Sequence, residues 1–561
     1  MIDAILGITR GTLEFASMRG QTRWYDRAAD ERHYLLSLGE YLSRVKPQGD
    51  VLATQMPNPW VTLDPNEYYK AVRNKPNTLR LRMLGNEYES TALVVTNLKP
   101  EPVTLRFAPS PLQAEGAAPV PAAGVLTLHE VSSVLPESTG VPTEDVLPKL
   151  AEGGLLRLGP LETRKLWLIF RSAELKAARY RGTLRASDIA ASDKPTEIAL
   201  DLEVASLRLP DQRTYRHNNW LYLASITDPE LRRATMRDAL EHGTNVFHVP
   251  AATVLMNTSG GITGNDTRVH DELVTALRGK ALFLIGGSVN LTWPKGFAPP
   301  KDLAAKAYAD AIRWYARHMQ SLGVPYDDYA LYTQDEPGLM GADANYNQWM
   351  EGVRRIKAAD PRMRIYANPA GGARSEMLAP VASLVDIWQP DLHLYRDHPG
   401  ALGALFSKAT FWNYEAPADQ RNLDPLGYYR MKPWVSFQLG MTGGGYWVYS
   451  SSDYWSFNRQ LSTEYGTVYQ TPAGPVTTKR WEASRDGAED FELLWMLKSR
   501  AAAGTPARQV LDEAVAFVTA GQDQVSDISR QLRPYTPSYE KWMEYRARII
   551  DTLLESGKAA Q

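Results

Sequence analysis

Two adjacent carboxylates, Asp335 and Glu336, follow the short apolar run Tyr329-Ala330-Leu331-Tyr332, and Pro337 then turns the chain out of extended pairing. In folds built on parallel strands, chemistry collects at the carboxyl ends of those strands. An acid pair there suits cleavage of a glycosidic bond. One group protonates the leaving oxygen, and the other answers the positive charge that develops on the sugar. Taken alone, the pair also fits a strand-end turn in which Asp335 caps the next helix.

The elements that must position these acids are legible from about residue 211. Strand-like apolar runs occur at Trp220–Leu223, Asn245–Val249, Ala281–Ile285, Tyr329–Tyr332, Arg364–Ala367, Val385–Trp388, Thr410–Trp412 and Gly445–Tyr449. Helical patterns lie between most of them. Asp228-Pro229-Glu230 is a capped helix start. Tyr308, Ile312, Tyr315 and Met319 share one helix face, and Trp349, Val353 and Ile356 another. This rhythm predicts an α/β fold, a (β/α)8 TIM barrel over 211–475. A doubly wound sheet is the alternative, but the glycine-rich first turn of that fold is missing. Residues 1–50 hold one helix-like segment, Trp24 to Val45, with Leu35, Leu36, Leu38, Tyr41 and Leu42 as its apolar stripe. Residues 51–210 alternate in short runs separated by Pro, Gly and Asn, which predicts an N-terminal β-sandwich. Residues 476–561 read as a C-terminal helical cap, with Trp542, Tyr545, Ile549 and Leu553 one turn apart.

If the barrel forms, all its strand ends open on one mouth. The residues there are Asn218, Asn219 and Trp220, then His248, then Trp293. Asp335 and Glu336 follow, then Asn368, then Asp391, His393 and Tyr395. Trp412, Tyr414 and Glu415 come after the seventh run, and Trp447, Tyr449 and Asp453 after the eighth. Carboxylates, amides and aromatics without a basic cluster describe a pocket for a neutral polyol. Flat aromatic faces stack on the C–H faces of sugar rings, although core packing must account for most of the 15 tryptophans and 28 tyrosines. Trp388, inside its apolar run, reads as core.

Composition removes several other classes. A formal net charge of -2 gives no footprint for nucleic acid or an anionic membrane surface. No apolar stretch approaches the roughly 18 residues of a membrane span. The chain has no cysteine, so thiolate chemistry and disulfides are out, and its nine histidines show no HExxH spacing. No metal and no cofactor are expected.

Four motifs resemble the catalytic domain of glycoside hydrolase family 123, formerly a domain of unknown function. They are Gly85-Asn86-Glu87-Tyr88-Glu89, Asp335-Glu336-Pro337, the Gly440–Trp447 run GMTGGGYW, and the long run from Lys479 to Glu492, KRWEASRDGAEDFE. The resemblance covers roughly residues 75 to 500. It implies a β-sandwich, a (β/α)8 barrel and a β-N-acetylgalactosaminidase-type reaction in which the substrate's own 2-acetamido oxygen attacks the anomeric carbon. Asp335 would orient the acetamide and Glu336 would be the acid/base. The last motif is dense in charge, and Arg480, Glu482, Arg485 and Glu489 are expected to pin the final helices to the barrel.

Glu415 complicates the second role. A glutamate after the seventh run, with an acid after the fourth, resembles the layout of clan A glycosidases, where it would be a nucleophile about 5–5.5 Å from the acid. Glu336 keeps its role in both schemes, and Asp335 and Glu415 compete for the other. A carbohydrate-binding protein without activity is a further alternative. The expected partner is an oligosaccharide or glycan, with a homodimer compatible and neither nucleic acid nor a membrane span expected. The resemblance implies a periplasmic or extracellular setting, while the stretch from Met1 lacks the ordered regions of a secretion signal.

Overall fold

A computed structural model describes residues 27–45, 49–73, 76–134, 141–151, 153–338, 343–416, 420–450, 465–520 and 536–559. The chain forms two compact units. One comprises Met1–Val134 with Pro142–Leu209, and the other Leu135–Val141 with Pro210–Gln561.

The first unit is built on two larger β-sheets, with Ser132–Val134 and Thr143–Val146 paired as a separate ribbon. One orders Val51–Gln55, Tyr88–Asn97, Thr163–Arg171 and Leu126–Glu130, all antiparallel. The other runs from Thr78–Gly85 through Ala191–Arg208, Ala178–Asp188 and Val103–Pro109 to Leu155–Leu158, and only its first pair is parallel. Alternation decides what meets between them: Leu93, Val95, Leu166 and Leu168 from one sheet join Leu79, Met83, Leu105 and Leu200 from the other in one buried cluster. The helix Arg27–Val45 buries Leu38 and Tyr41, and Tyr41 packs on Tyr69 of the helix Pro65–Ala71. Leu36, expected in the apolar stripe, is 58% exposed because it falls on the other face.

The second unit is a mixed α/β body. Apart from a small antiparallel hairpin, Tyr469–Thr471 with Gly474–Val476, its main strands are β1 (Arg216–His217), β2 (Val246–Met256), β3 (Leu282–Thr292), β4 (Tyr329–Tyr332), β5 (Ile365–Ala367), β6 (Ile387–Trp388), β7 (Thr410–Phe411) and β8 (Gly443–Gly444). β2 to β7 lie side by side in chain order, all parallel, and Ile262–Asp266 adds an antiparallel edge beside β2. β1 and β8 pair with each other, also in parallel. Backbone bonds carry β8 to β7, with Thr442 N–H donating to Phe411 O at 2.9 Å and Asn413 N–H to Gly443 O at 3.2 Å. Asn245, just before β2, accepts from His217 N–H on Oδ1 at 3.0 Å.

Helices fill the connections. Besides the short helices Ser375–Leu378 and Pro399–Phe406, they are α1 (Pro229–Glu241), α2 (Arg268–Leu277), α3 (Lys301–Ser321), α4 (Asp343–Ala359), α5 (Leu392–Asp397) and α6 (Met431–Gln438), followed by α7 (Lys479–Lys498), α8 (Pro506–Thr519) and α9 (Tyr539–Ala559). α1 starts as its sequence predicts, with the Asp228 carboxylate accepting from Glu230 and Leu231 N–H. The two sheet faces feed different clusters. Phe247, Phe283, Ile285 and Leu331 pack with Tyr315, Trp349 and Trp388 on the helix side. Val246, Leu282, Leu284, Ala330, Tyr366 and Ile387 gather around Trp412 on the other.

Two expected strands sit elsewhere. Trp220–Leu223 is not extended: Trp220 has φ of +42° and a 3-10 turn begins at Leu223, so the first strand is Arg216–His217. The run is apolar because Leu221 and Leu223 bury into the core from a loop. The last strand is Gly443–Gly444 and not Gly445–Tyr449, of which Tyr446 alone forms an isolated bridge, to Glu415. The glycines of that motif answer to space. A Cβ on Gly445 would lie 1.4 Å from Asn218 O, and one on Gly443 2.6 Å from Arg216 O.

α7 carries the long charged motif, and its charges are buried. Arg430 Nε bonds Asp490 Oδ2 at 2.9 Å, and Arg546 Nε bonds Asp490 Oδ1 at 2.9 Å. Glu482 meets His242 at 2.9 Å and also pairs with Arg485, while Glu489 meets Arg213 at 3.5 Å. Arg480 donates to Gly466 O at 2.9 Å. Buried charges persist only with such partners, so this helix acts as an internal strut.

Candidate active site

The acids follow β4 without a regular turn. Glu336 has φ of +44°, a left-handed backbone that a non-glycine residue holds only where its surroundings compel it. Asn368, just past β5, supplies part of that compulsion: its Oδ1 accepts the Glu336 backbone N–H at 3.2 Å. The same amide's Nδ2 donates to Asp335 Oδ1 at 2.9 Å, and the Tyr332 hydroxyl donates to that oxygen as well. Asp335 is thus held by one oxygen from two donors and is itself exposed.

Glu336 is half-buried, and its Oε1 accepts from the Tyr414 hydroxyl. Burial raises its carboxyl above the usual glutamate range, and the charges of Asp335 and Asp391 push the same way, against the Tyr414 hydrogen bond. Asp391 caps α5, accepting from His393 N–H at 2.9 Å and Leu394 N–H at 3.2 Å. Burial raises its carboxyl too, opposed by the nearby His393 and reinforced by Glu415.

Glu415 has a different partner. It is buried, and its Oε2 meets Lys432 Nζ of α6 at 2.6 Å, with side chains 3% and 1% exposed. Tyr414 and Glu415 are neighbours with different partners, Glu336 for one and Lys432 for the other.

The wall of the site is aromatic. Trp220 stacks on His248 with centroids 5.5 Å apart and packs on Tyr414 at 5.2 Å. His248 Nε2 meets Asn218 Oδ1 at 3.0 Å, and burial pushes its pKa down to about 3, so the ring is neutral. Among the described residues two large aromatics remain exposed, Tyr222 at 46% and Trp447 at 37%. Burial raises the Tyr222 hydroxyl pKa, with the Trp447 side chain acting against it, and the Tyr222 ring lies 5.8 Å from His248. Beneath, Gln389 Oε1 accepts from Asn218 Nδ2 and the Tyr366 hydroxyl, both at 2.9 Å.

The other expected site residues are placed apart from the acids' own contacts. Asn219 holds loops, its Oδ1 accepting Tyr446 N–H at 3.3 Å. Trp293 packs on Phe297, 5.6 Å away. Tyr395 is buried against Phe411, and Trp412 is the centre of the inner cluster. Tyr449 is fully buried, donating to Asp238 at 2.6 Å beside Trp481. Asp453 lies outside the described residues. Sequence reasoning passed over Tyr332, Tyr366, Gln389, Tyr222 and Lys432. Tyr332 had a usable signal, because it is the last residue of its apolar run.

No family model matches the sequence, and no curated protein matches it. Among solved structures, one of a family 123 glycoside hydrolase from Clostridium perfringens, described for glycolipid glycan hydrolysis, matches with TM-score 0.62 and 11% identity over 91% of this chain and 99% of that one. The chain has the fold of a family 123 glycoside hydrolase. A Ruminococcus gnavus β-glucuronidase matches at TM-score 0.30 and 11% identity over 69% of this chain and 64% of that one. A family 2 glycosyl hydrolase from Bacteroides cellulosilyticus matches at 0.25 and 8% over 65% and 44%. Both likenesses are too loose to argue from. Asp335 and Glu336 follow β4, Asp391 follows β6 and Glu415 follows β7. Among the described residues no helix is long and apolar enough to cross a membrane.

Proposed function

We propose that the chain is a retaining glycoside hydrolase that cleaves a β-linked hexosaminide of the N-acetylgalactosamine type with help from the substrate's acetamide. The acetamide oxygen attacks the anomeric carbon as the bond to the leaving oxygen breaks, and Glu336 gives that oxygen its proton. The resulting cyclic oxazolinium carries its charge at the N–H, which Asp335 accepts. Water then attacks the same carbon, Glu336 takes its proton, and the acetamide is restored. The eight strands are read as one closed (β/α)8 barrel over 211–475, supported by the bonds of β8 to β7 and of β1 to Asn245. Tyr222 and Trp447 serve as sugar platforms at the rim.

The observation that carries this reading is the separate restraint of the two adjacent acids. Tyr332 and Asn368 hold one oxygen of Asp335, leaving Oδ2 without a hydrogen bond among the described residues, while Tyr414 holds Glu336. Environments that differ at adjacent carboxylates give them different roles. The reading with Glu415 as nucleophile loses ground, since that carboxylate is buried on Lys432.

The test is a panel of aryl β-glycosides with and without a 2-acetamido group. Only the acetamido substrates should turn over, a thiazoline analogue should inhibit strongly, and Glu336→Gln should slow an unactivated substrate by about 10²–10⁴-fold. Equal turnover of substrates lacking the acetamide, or a fluoroglycoside ester trapped on Glu415, would refute the mechanism.

A further inference from the structure

Two histidines and an aspartate on α2 and α3, none of them among the residues that hold the acids, converge on one point. His270 Nδ1 lies 2.8 Å from Asp271 Oδ1, and His318 Nε2 lies 2.8 Å from the same oxygen. The three potential ligand atoms all fall within 4.8 Å of one another. We propose that His270, Asp271 and His318 bind a divalent transition-metal cation of the zinc class, which clips α2 to α3.

The donor set suits that class. Imidazole nitrogens with a carboxylate oxygen bind zinc and its neighbours, whereas calcium and magnesium prefer oxygen alone. Tetrahedral zinc holds such ligands at about 2.0–2.1 Å, which sets neighbouring donor atoms roughly 3.3 Å apart. Opening each 2.8 Å contact by about half an ångström, with the two imidazole nitrogens, which lie within 4.8 Å, brought to the same spacing, would seat the ion.

Two of the ligands also have an outer hydrogen-bond partner, as metal-bound side chains usually do, and the third is held by a ring. The free nitrogen of His270 meets the Tyr315 hydroxyl at 2.8 Å. The second oxygen of Asp271 accepts from the Thr267 hydroxyl at 2.7 Å. His318 stacks on Trp314, with centroids 5.0 Å apart and planes 10° from parallel. Water can reach a fourth position, since the Asp271 and His318 side chains are 29% and 16% exposed, while His270 is 1% exposed. A trio resting on the helix side of the sheet acts on stability.

The experiment uses the full chain, free of any histidine tag and stripped with a chelator, titrated with ZnCl₂ by calorimetry. One equivalent should bind, and an excess should raise the melting temperature by a few degrees. Co²⁺ in its place should give the visible absorption of a tetrahedral site. His318→Ala and the near-isosteric Asp271→Asn should each lose the binding step while keeping the circular dichroism of the parent chain. Should either variant unfold, the other, together with the Co²⁺ spectrum of the parent, decides. Absence of zinc binding to the stripped parent, or one equivalent still bound by both variants, would overturn the proposal.

Discussion

Glu415→Gln separates a buried structural carboxylate from a nucleophile. Glu415 Oε2 and Lys432 Nζ lie 2.6 Å apart with almost no solvent on either side chain, and the ammonium also sits 4.7 Å from the Tyr446 ring centroid. Neutralising one member of a buried pair leaves the other charge in a poor solvent, at a cost of about 3–5 kcal/mol. The unit containing the pair has roughly 350 residues, and at about 2.1 cal/mol/K per residue its unfolding entropy is near 0.75 kcal/mol/K. The melting temperature should therefore fall by about 4–7 °C. Lys432→Met should cost a similar amount. The double variant Glu415→Gln/Lys432→Met removes both charges and should regain most of the loss, because a buried pair is often replaceable by neutral groups. Calorimetric melting with parallel rates on an aryl hexosaminide makes the comparison. Rates per folded molecule should stay within about tenfold of the parent, less than removing one catalytic acid costs. A Glu415→Gln protein with the parent's melting temperature and turnover reduced by the full 10⁴-fold range of acid–base loss or more would refute the argument and return Glu415 to the chemistry.

Because burial, with Asp335 and Asp391, raises the Glu336 carboxyl, turnover needs its protonated form and should decline as pH rises through a value above the ordinary glutamate range, read from the kcat profile. Tyr414→Phe removes the donor that favours the charged form, so this alkaline limb should move to higher pH while the maximum rate falls about tenfold; a shift to lower pH would contradict the assignment. Asn368→Ala frees both Asp335 and the Glu336 backbone and should lower kcat about 10²-fold with little change in KM, measured on a chain whose circular dichroism is unchanged. Gly487→Ala should destabilise by about 1–2 kcal/mol in a melting experiment, although alanine gains about 1 kcal/mol in helix propensity, because its Cβ would lie 2.5 Å from Arg430 O.

What the sequence made legible was the order of elements and the ends of strands, since apolar runs closed by polar residues report burial followed by exposure. That signal located Asp335, Glu336, Asn368 and Tyr414, all of which lie in one hydrogen-bonded set. It misled where burial had another cause. Trp220–Leu223 is apolar because a loop is buried, and a left-handed Trp220 excludes the strand that the run suggests. Tyr395, Trp412 and Tyr449 each pack inside the unit: Tyr395 on Phe411, Trp412 at the centre of the inner cluster, and Tyr449 with its hydroxyl on Asp238.

The deeper limit is parity. Consecutive residues at a strand end point to opposite sides, so an error of one position exchanges the site for the interior. Tyr414 reaches Glu336 while Glu415 reaches Lys432, and no spacing rule applied to Trp412-Asn413-Tyr414-Glu415 chooses between those outcomes. Register chooses it: Glu415 N–H bonds Gly445 O at 3.2 Å, and that pairing exists because Gly445 has no side chain to hold Asn218 O away. The glycines of the GMTGGGYW motif and the orientation of a carboxylate thirty residues earlier are thus one physical fact. A side chain at Gly445 would move β8, and with it the surface on which Tyr414 is held against the acid.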